Sequence, residues 1–279
     1  MTETPLVSVL MTAFNQEKHI AEAIESVLAS NYSNFELIIT DDQSKDETVE
    51  IVNHFSKSDE RVKLFINDKN LGDYPNRNKA STYARGKYIK FLDADDIIYH
   101  YGLHVMVEYM ERFPEAGFGL ASLVSSAKPF PILLSPKEIY LENFNEYSHF
   151  DRAPGSSIIR LDAFKRVGGF SGKRMIGDYE FWFKIARYYS MVKFPFDLYW
   201  SRVHPNQESQ TDYARKNYSI LRRTVLEEAL LNPDCPLSAE EIRQVRIQNR
   251  RIERKDVFLN YLSKINKVIR KKNKVGLNN

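Results

Sequence analysis

Short apolar runs alternate with helix-like segments along the first hundred residues of the chain. Four runs are nearly continuous in apolar residues, as expected for strands buried on both faces of a sheet: Leu6–Phe14, Leu37–Thr40, Val62–Ile66 and Tyr88–Leu92. The segments between them carry apolar residues at helical spacing, an acidic first turn or a closing glycine, and they predict three helices: His19–Ala29, Lys45–Ser56 and Tyr74–Ala84. This alternation predicts an α/β fold with a mostly parallel, doubly wound sheet.

The second half of the chain has a less regular pattern. It contains two candidate helices and three candidate strands: Gly102–Arg112, Gly177–Tyr188, Gly117–Val124, Ser156–Ile159 and Leu198–Val203. The stretch Lys128–Arg152 contains three prolines and is expected to be mainly loop. From Asp212 onward the pattern predicts helix, with a break over residues 232–236.

The charge of the chain is unevenly distributed. The formal net charge is +3, but residues 240–279 hold twelve Lys or Arg against four Asp or Glu, so the first 239 residues carry a net −5. Apolar residues recur among the basic ones over Val245–Lys272, which predicts a basic amphipathic helix. Such a helix binds a membrane surface or an acidic partner, or it packs on its own domain with a solvated basic face.

Composition also indicates where the protein works. The single cysteine, Cys235, excludes a disulfide framework and fits a reducing compartment. The polar start, Met1–Pro5, lacks the basic region of a signal peptide, and no run of about 18 apolar residues occurs. We therefore expect a cytoplasmic location, with peripheral contact at the inner face of a membrane through the basic tail as a further expectation.

Carboxylates follow two of the predicted strands. Asp41 and Asp42 end the second strand, and Asp93 and Asp95 end the fourth. Open α/β sheets bind ligands beyond the carboxyl ends of their strands, so these acids lie where a ligand is expected. Asp93 and Asp95 share one face, and a cation between them would relieve their repulsion. The pattern favours Mg²⁺ or Mn²⁺ beside substrate phosphates, and a solvated acidic turn is the alternative.

Four segments, in this order and spacing, resemble the family 2 glycosyltransferases: Val7–Asn15, Ile38–Asp46, Asn76–Asp96 and Val167–Trp182. The resemblance ends at Arg202–Ser209. It implies a GT-A fold over residues 1–211, which is a Rossmann-like nucleotide-binding sheet with a donor half (about 1–98) and an acceptor half (about 99–211), followed by a helical extension over 212–279. It also implies an inverting enzyme of polysaccharide or glycan assembly that uses a nucleotide-diphosphate sugar, with UDP as the expected nucleotide.

The resemblance assigns candidate nucleoside-binding residues at the ends of the first two strands. Phe14 is expected to stack on the base, with Thr12 and Asn15 beside it, whereas a core aromatic is the alternative for Phe14. Asp42 is expected to accept a hydrogen bond from uracil N3–H. The adjacent Asp41 leaves the choice between the two acids open, and a helix N-terminal charge is the alternative for Asp42.

Further residues are assigned to the diphosphate and the metal. Asp95 is expected to contact the ion and Asp93 to contact the ribose or the ion's waters, with Asp96 behind them. His204 is a candidate metal or phosphate contact, and a surface histidine in a proline turn is the alternative. Arg77 is a candidate partner of the diphosphate, because guanidinium suits bidentate contact with oxyanions. A solvated arginine on a helix face is its alternative.

Asp178 is the candidate general base that takes the proton from the acceptor hydroxyl. A helix N-terminal cap is the alternative use of an aspartate there. The resembling family often has glutamate before this aspartate, whereas this chain has Gly177. Glu180 is a further candidate to hold the base or the acceptor, and Trp182 is expected in the core rather than as a sugar platform.

Other classes of function fit the sequence less well. Ala13–Glu17 follows the first strand without the glycines of a Rossmann or P-loop motif, which argues against an NAD-dependent dehydrogenase and a P-loop ATPase. A sugar-phosphate nucleotidyltransferase would need a glycine-rich basic loop at the same place. A catalytically silent nucleotide-sugar-binding subunit is the non-enzyme alternative, and both Asp95 and Asp178 argue against it. No nucleic-acid-binding motif occurs, so the expected partners are the sugar donor and a glycan or lipid-linked acceptor.

Overall fold

The computed structural model describes residues 4–121, 128–144, 148–203 and 211–250. Its first half contains the predicted elements in the predicted order: β1 (Val7–Ala13), α1 (Ile20–Leu28), β2 (Phe35–Asp41), α2 (Thr48–Ser58), β3 (Val62–Ile66), α3 (Asp73–Tyr83) and β4 (Tyr88–Asp93). The four strands are parallel, in the order β3-β2-β1-β4. Thr12 of β1 pairs with Thr40 of β2 and with Asp93 of β4, so three carboxyl ends meet at one edge.

The second half adds short strands and more helices: β5 (Ile97–Ile98), α4 (Gly102–Glu111), β6 (Ala116–Ala121), β7 (Ile132–Leu134), α5 (Pro136–Asn143), β8 (Ser157–Arg160), α6 (Leu161–Arg166), α7 (Gly177–Ala186), β9 (Ser190–Phe194), β10 (Tyr199–Trp200) and α8 (Asp212–Leu231). A further helix covers residues 239–250. β8 pairs antiparallel with β4 and joins both halves in one sheet of order β3-β2-β1-β4-β8-β6-β9-β7. β5 and β10 form a separate two-stranded ribbon. The predicted α/β class is confirmed.

The expectation that Lys128–Arg152 is mainly loop is wrong in part, because β7 and α5 lie there. α5 begins with a capping box, in which the Ser135 hydroxyl accepts from the Glu138 N–H and the Glu138 carboxylate accepts from the Ser135 N–H. Serine and glutamate three residues apart are a sequence signal for a helix start. The prolines around them concealed that signal, and the three residues of β7 are too few to show a strand pattern.

Two hydrophobic layers cover the two faces of the sheet. On β4, Ile89 and Phe91 belong to one layer, whereas Tyr88 and Leu92 belong to the other, as strand alternation requires. The first layer includes Trp182 of α7, which is fully buried, so the core prediction for this residue is confirmed. α8 packs against α7 and adds four apolar residues to that layer: Val225, Leu226, Ala229 and Leu230. The described part of the extension thus shares this core, and the division at residue 211 stays a prediction.

The C-terminal segment is described only as far as residue 250. Most of the predicted amphipathic helix over Val245–Lys272 therefore lies outside the described residues, and its binding role stays a prediction. Among the helices of the described residues, none has both the length and the apolar composition needed to cross a bilayer.

Candidate active site

A cavity of about 1190 Å³ opens at the carboxyl ends of β1 and β4. Its walls contain four of the predicted site residues: Arg77, Asp93, Asp95 and Asp178. The candidate metal-binding acids and the candidate base are far apart in the sequence, and the fold brings them to one space. This position at the strand ends, and this size, are typical of a ligand-binding cavity in an open α/β sheet.

Three carboxylates lie together in the turn that follows β4. Ligand oxygens of Asp93, Asp95 and Asp96 all lie within 4.8 Å of one another. Asp93 and Asp95 are half-buried, whereas Asp96 is buried. Burial, together with the charges of Asp93 and Asp95, raises the pKa of Asp96 to about 7. A divalent cation would relieve this repulsion, and carboxylate oxygens are the donors that Mg²⁺ and Mn²⁺ prefer.

Arg202 holds this acidic turn in place. Its backbone N–H donates to the Asp96 carboxylate at 3.0 Å, and its Nε donates to the Asp95 carbonyl oxygen at 2.9 Å. Its guanidinium also pairs with Glu22 at 2.5 Å and lies 4.8 Å from the centre of the Trp200 ring. The sequence placed Arg202 at the end of the family resemblance without a role, because contacts through backbone atoms leave no residue-type signal.

Arg77 connects α3 to the acidic turn. Its side chain is 7% exposed, and it pairs with Asp73 at 2.7 Å and with Asp93 at 2.6 Å. Burial opposes the charged guanidinium, but the charges of Asp73 and Asp93 raise its pKa above the usual value. Nη1 is buried and donates to no protein acceptor. Arg77 also lines the cavity, so the charge of its guanidinium would attract an anionic ligand bound there.

Asp178 lies in the first turn of α7 and also lines the cavity. Burial raises the pKa of its carboxyl to about 6. Hydrogen bonds from the Tyr179 N–H, at 2.7 Å, and from the Tyr74 side chain oppose this rise. Such a carboxyl is ionised at neutral pH and still basic enough to accept a proton, which is what general-base catalysis requires.

Gly177 leaves room for the Tyr74 ring. A β-carbon at position 177 would lie 2.7 Å from that ring, which is too close for any real contact. The tyrosine of α3 therefore packs on the backbone of α7 and reaches the Asp178 carboxylate. The absence of glutamate before Asp178, where this chain departs from the resembling family, thus has a packing reason.

Replacing Gly177 by alanine is expected to destabilise the protein by about 1–3 kcal/mol, because the new methyl group collides with the Tyr74 ring. Urea unfolding measures this change. In a Tyr74→Ala background, the same replacement is expected to be neutral or to stabilise by up to about 1 kcal/mol, since alanine is the better helix former. An equal cost in both backgrounds would show that the ring is not the cause.

The four predicted nucleoside-binding residues lie at the ends of β1 and β2, next to the cavity and outside the set that lines it: Thr12, Phe14, Asn15 and Asp42. The Phe14 side chain is 47% exposed, which excludes the core alternative. Asn15 has a φ of 52°, and its N–H donates to Ser44 Oγ at 2.9 Å while its side chain accepts from the Lys45 N–H at 2.8 Å. Asn15 therefore ties the loop after β1 to the loop after β2.

The two neighbouring acids at the end of β2 have different partners. Asp41 accepts from the backbone and the hydroxyl of one serine, and so closes the turn after the strand. Asp42 is buried and accepts from the Asn67 amide and from the N–H groups of Leu71 and Gly72, each at 2.8 Å. Leu71 and Gly72 line the cavity. Asp42 thus supports the cavity rim, and the protein fills three of the about four acceptor positions of its carboxylate.

Glu180, a further predicted residue, stands apart from the cavity walls. The Glu180 carboxylate accepts from the Ser171 hydroxyl and pairs with Lys173 at 2.8 Å, so it anchors the loop that precedes α7. His204 lies outside the described residues, and its metal contact stays a prediction.

Lys90 is a buried residue that sequence reasoning missed. It lies in β4, and its Nζ donates to the Phe91 carbonyl at 2.7 Å and to the Gly155 carbonyl. The ammonium also lies 4.9 Å from the centre of the Tyr199 ring. Burial lowers its pKa to about 7, although nearby carboxylates such as Asp96 oppose the change. Lys90 thus joins β4, which leads into the acidic turn, to the loop before β8. In the sequence, the one indication of such a role is a lysine within an apolar run.

Comparison with protein-family models gives a match to Glycosyl transferase family 2 over residues 8–168, more than half of the chain. A curated relative is the UDP-Glc:alpha-D-GlcNAc-diphosphoundecaprenol beta-1,3-glucosyltransferase WfgD of Escherichia coli. It is 46% identical over 92 residues, which are 33% of this chain and 36% of that protein. The segments matched in two further relatives, both uncharacterized glycosyltransferases, are likewise 42% and 39% of those proteins.

Two solved structures share the architecture. Staphylococcus aureus TarS 1-349 in complex with UDP-GlcNAc has a TM-score of 0.68 at 19% identity, over 88% of this chain and 72% of that one. The mannosyltransferase PcManGT of Pyrobaculum calidifontis in complex with GDP-Man and Mn²⁺ has a TM-score of 0.58 at 16% identity, over 88% and 80%. At these identities the likeness concerns the fold, and it confirms the fold class predicted from the sequence.

Proposed function

Because this chain belongs to glycosyltransferase family 2, we propose that it moves a sugar from a UDP-sugar to an acceptor hydroxyl, with inversion at the anomeric carbon. The observation that carries the proposal is the single cavity shared by Asp93, Asp95 and Asp178. A donor diphosphate and an acceptor hydroxyl would each find a chemical partner in that space. Membership of the family supports transfer of a sugar from a nucleotide donor, and the choice of UDP, the inversion and the metal are the finer parts of the proposal.

The nucleoside would bind at the ends of β1 and β2. The exposed Phe14 ring offers a stacking face, and the remaining acceptor position of Asp42 suits the uracil N3–H. Thr12 and Asn15 flank this place. The Escherichia coli relative, which is 46% identical over the matched segment, is named for UDP-Glc as its donor. The solved structure with GDP-Man is only 16% identical. These observations favour UDP over GDP.

The diphosphate would lie beside Arg77 and the acidic turn, which the ion pair between Arg77 and Asp93 already joins. The Arg77 guanidinium would attract the phosphate oxygens, and its buried Nη1 would donate to one of them after a small shift of the side chain. Asp95 and Asp93 would hold a divalent cation, Mn²⁺ or Mg²⁺, and Asp96 would stay behind them as a buried support. When bound, the cation supplies positive charge that stabilises the leaving diphosphate.

The chemical step would be one displacement. Asp178 would accept the proton of the acceptor hydroxyl while that oxygen forms a bond with the anomeric carbon. The bond from the anomeric carbon to the diphosphate oxygen would break on the opposite face, so the configuration inverts. A positioned base contributes about 10²- to 10⁴-fold to such a step.

The acceptor is proposed to be a glycan or a lipid-linked sugar in polysaccharide assembly. The name of the Escherichia coli relative supports this choice, because it gives a sugar on diphosphoundecaprenol as the acceptor. A lipid-linked acceptor would require contact with a membrane surface, and the basic segment over residues 240–279 is the proposed contact.

A donor screen tests the proposed function. Purified protein with Mn²⁺ is incubated with UDP-glucose, UDP-N-acetylglucosamine, UDP-galactose or GDP-mannose, and the released nucleotide is measured. We expect slow hydrolysis of one UDP-sugar, loss of activity with EDTA and recovery with added Mn²⁺. Release from GDP-mannose alone would contradict the choice of UDP. Tight nucleotide binding without release from any donor would favour the silent binding subunit.

Replacing Arg77 by glutamine is expected to weaken UDP binding by about 10- to 100-fold, because a charge-assisted contact with the diphosphate is lost. Uridine carries no phosphate, so its binding is expected to change little. Calorimetric titration with both ligands measures the difference. The control is Arg85→Gln, which removes an exposed arginine paired with Glu36. Equal losses for uridine and UDP would argue against a diphosphate contact.

The activity is expected to fall about tenfold per pH unit below pH 6. The pKa of Asp178 is raised to about 6, so acidification below that value protonates the carboxylate that must accept a proton. The value of kcat/KM between pH 5 and 8, at saturating Mn²⁺, measures the effect. Bound Mn²⁺ favours the ionised form of Asp96 and removes its titration from this range. A flat profile down to pH 5 would contradict the role given to Asp178.

A further inference from the structure

α8 forms one wall of the cavity, although it lies beyond the residues that match the family model. Ala214 and Tyr218 of α8 line the same space as Asp178. The acidic turn and Arg77 line this cavity too, and the donor diphosphate is proposed to lie beside them. α8 therefore borders the space that the donor and the acceptor would share.

Two ion pairs join α8 to loops that border the cavity, one at Asp151 and one at Lys173. Arg222 makes two hydrogen bonds to the Asp151 carboxylate, at 3.2 and 3.0 Å. Glu228 pairs with Lys173 at 2.6 Å, and apolar side chains of α8 are buried against α7. The position of α8 relative to Asp178 is therefore set by the fold itself.

Tyr218 has the properties of a sugar-binding platform. Its side chain is 36% exposed and lines the cavity. Burial, with smaller effects from the charges of Asp151 and Asp178, raises the pKa of the Tyr218 hydroxyl, and Asp178 lines the same cavity. An aromatic ring offers a flat apolar face to the C–H groups of a pyranose, and a phenol tip can bond to a sugar hydroxyl.

Other aromatic residues nearby are less available for this role. The Tyr213 ring is covered by the Arg174 guanidinium at 4.7 Å, and the Tyr179 ring by that of Arg222 at 5.0 Å. Phe150 also lines the cavity, but it is 1% exposed. Among the described aromatic residues that line the cavity, Tyr218 is the most exposed.

We propose that Tyr218 is an acceptor-binding residue and that the acceptor presents a pyranose ring, which packs on the Tyr218 ring with one hydroxyl directed at Asp178. This inference rests on the proposed function and extends it. It makes α8, outside the matched family region, the element that selects the acceptor. Related chains with the same donor residues and another helix here would then use other acceptors.

Saturation-transfer NMR tests the inference without knowledge of the natural acceptor. The probes are methyl β-D-glucopyranoside and methyl N-acetyl-β-D-glucosaminide, with the full chain saturated in UDP and Mn²⁺. We expect both pyranosides to bind the wild-type protein weakly. Their affinity for Tyr218→Ala is expected to be about tenfold lower, whereas Tyr218→Phe keeps most of the affinity. The control Tyr213→Ala is expected to match wild type, and UDP affinity is expected to be equal in all four proteins.

The outcomes separate this inference from the proposed function. Binding of UDP with no binding of either pyranoside, or with equal pyranoside binding by wild type and Tyr218→Ala, overturns the role of Tyr218 alone. Equal weakening by Tyr213→Ala and Tyr218→Ala also overturns it, because a general disturbance of α8 would explain both. Failure of wild type to bind UDP overturns the proposed function.

Discussion

Asp178→Asn is expected to lower the rate of sugar transfer by about 10²- to 10⁴-fold while UDP binding stays unchanged. Asparagine keeps the size of the side chain but cannot accept the proton of the acceptor hydroxyl. The proposed diphosphate contacts are made by Arg77 and the acidic turn and not by Asp178, so the loss is expected in kcat and not in donor affinity. Steady-state transfer and UDP calorimetry on the same preparation measure the two quantities.

Asp162→Asn is the matched control for this replacement. Asp162 also lies in the first turn of a helix, and its carboxylate accepts from the next backbone N–H at 2.7 Å, as that of Asp178 does. It is exposed on α6 and outside the cavity walls. Full activity of Asp178→Asn would refute the role of Asp178 as the general base. An equal loss of activity in Asp178→Asn and Asp162→Asn would indicate that lower helix stability is the cause.

Asp95→Asn is expected to abolish the Mn²⁺ dependence of UDP binding, with a loss of more than about 100-fold at saturating Mn²⁺. Outer-shell changes already cost about 10- to 100-fold in metal affinity, so loss of a direct ligand should cost more. The exposed Asp68→Asn is the control for removal of one surface charge. If Asp95→Asn bound UDP in the presence of Mn²⁺ as tightly as wild type does, Asp95 would not be a ligand of the metal.

The sequence predicts the first half of the chain well because its physical signals are local. β1, β2 and β4 are apolar runs, with Asn15 and Asp42 just after the first two and Asp93 at the end of the third, and a parallel sheet must bring such ends together. The choice between Asp41 and Asp42 could not be made from the sequence. In the structure Asp41 closes the turn after β2 and Asp42 supports the cavity rim, and the assignment of Asp42 to the uracil N3–H stays a prediction.

The second half of the chain is harder to predict because its contacts join distant parts of the sequence. The fit of Tyr74 on Gly177 is a matter of a few tenths of an ångström between two helices. In the sequence, Tyr218 is one of several aromatic residues in a polar helix, and only the packing of α8 on α7 brings it to the cavity. Lys90 interrupts an apolar strand, and its acceptor, the Gly155 carbonyl, lies 65 residues away in the sequence.

The most direct test of the account is calorimetric titration of UDP into the wild-type protein, first with Mn²⁺ and then with EDTA. The account predicts binding that needs Mn²⁺, because Asp93, Asp95 and the diphosphate would share the cation while Phe14 holds the base. No binding of UDP in either condition would contradict the account and would leave a shared fold without the proposed donor site.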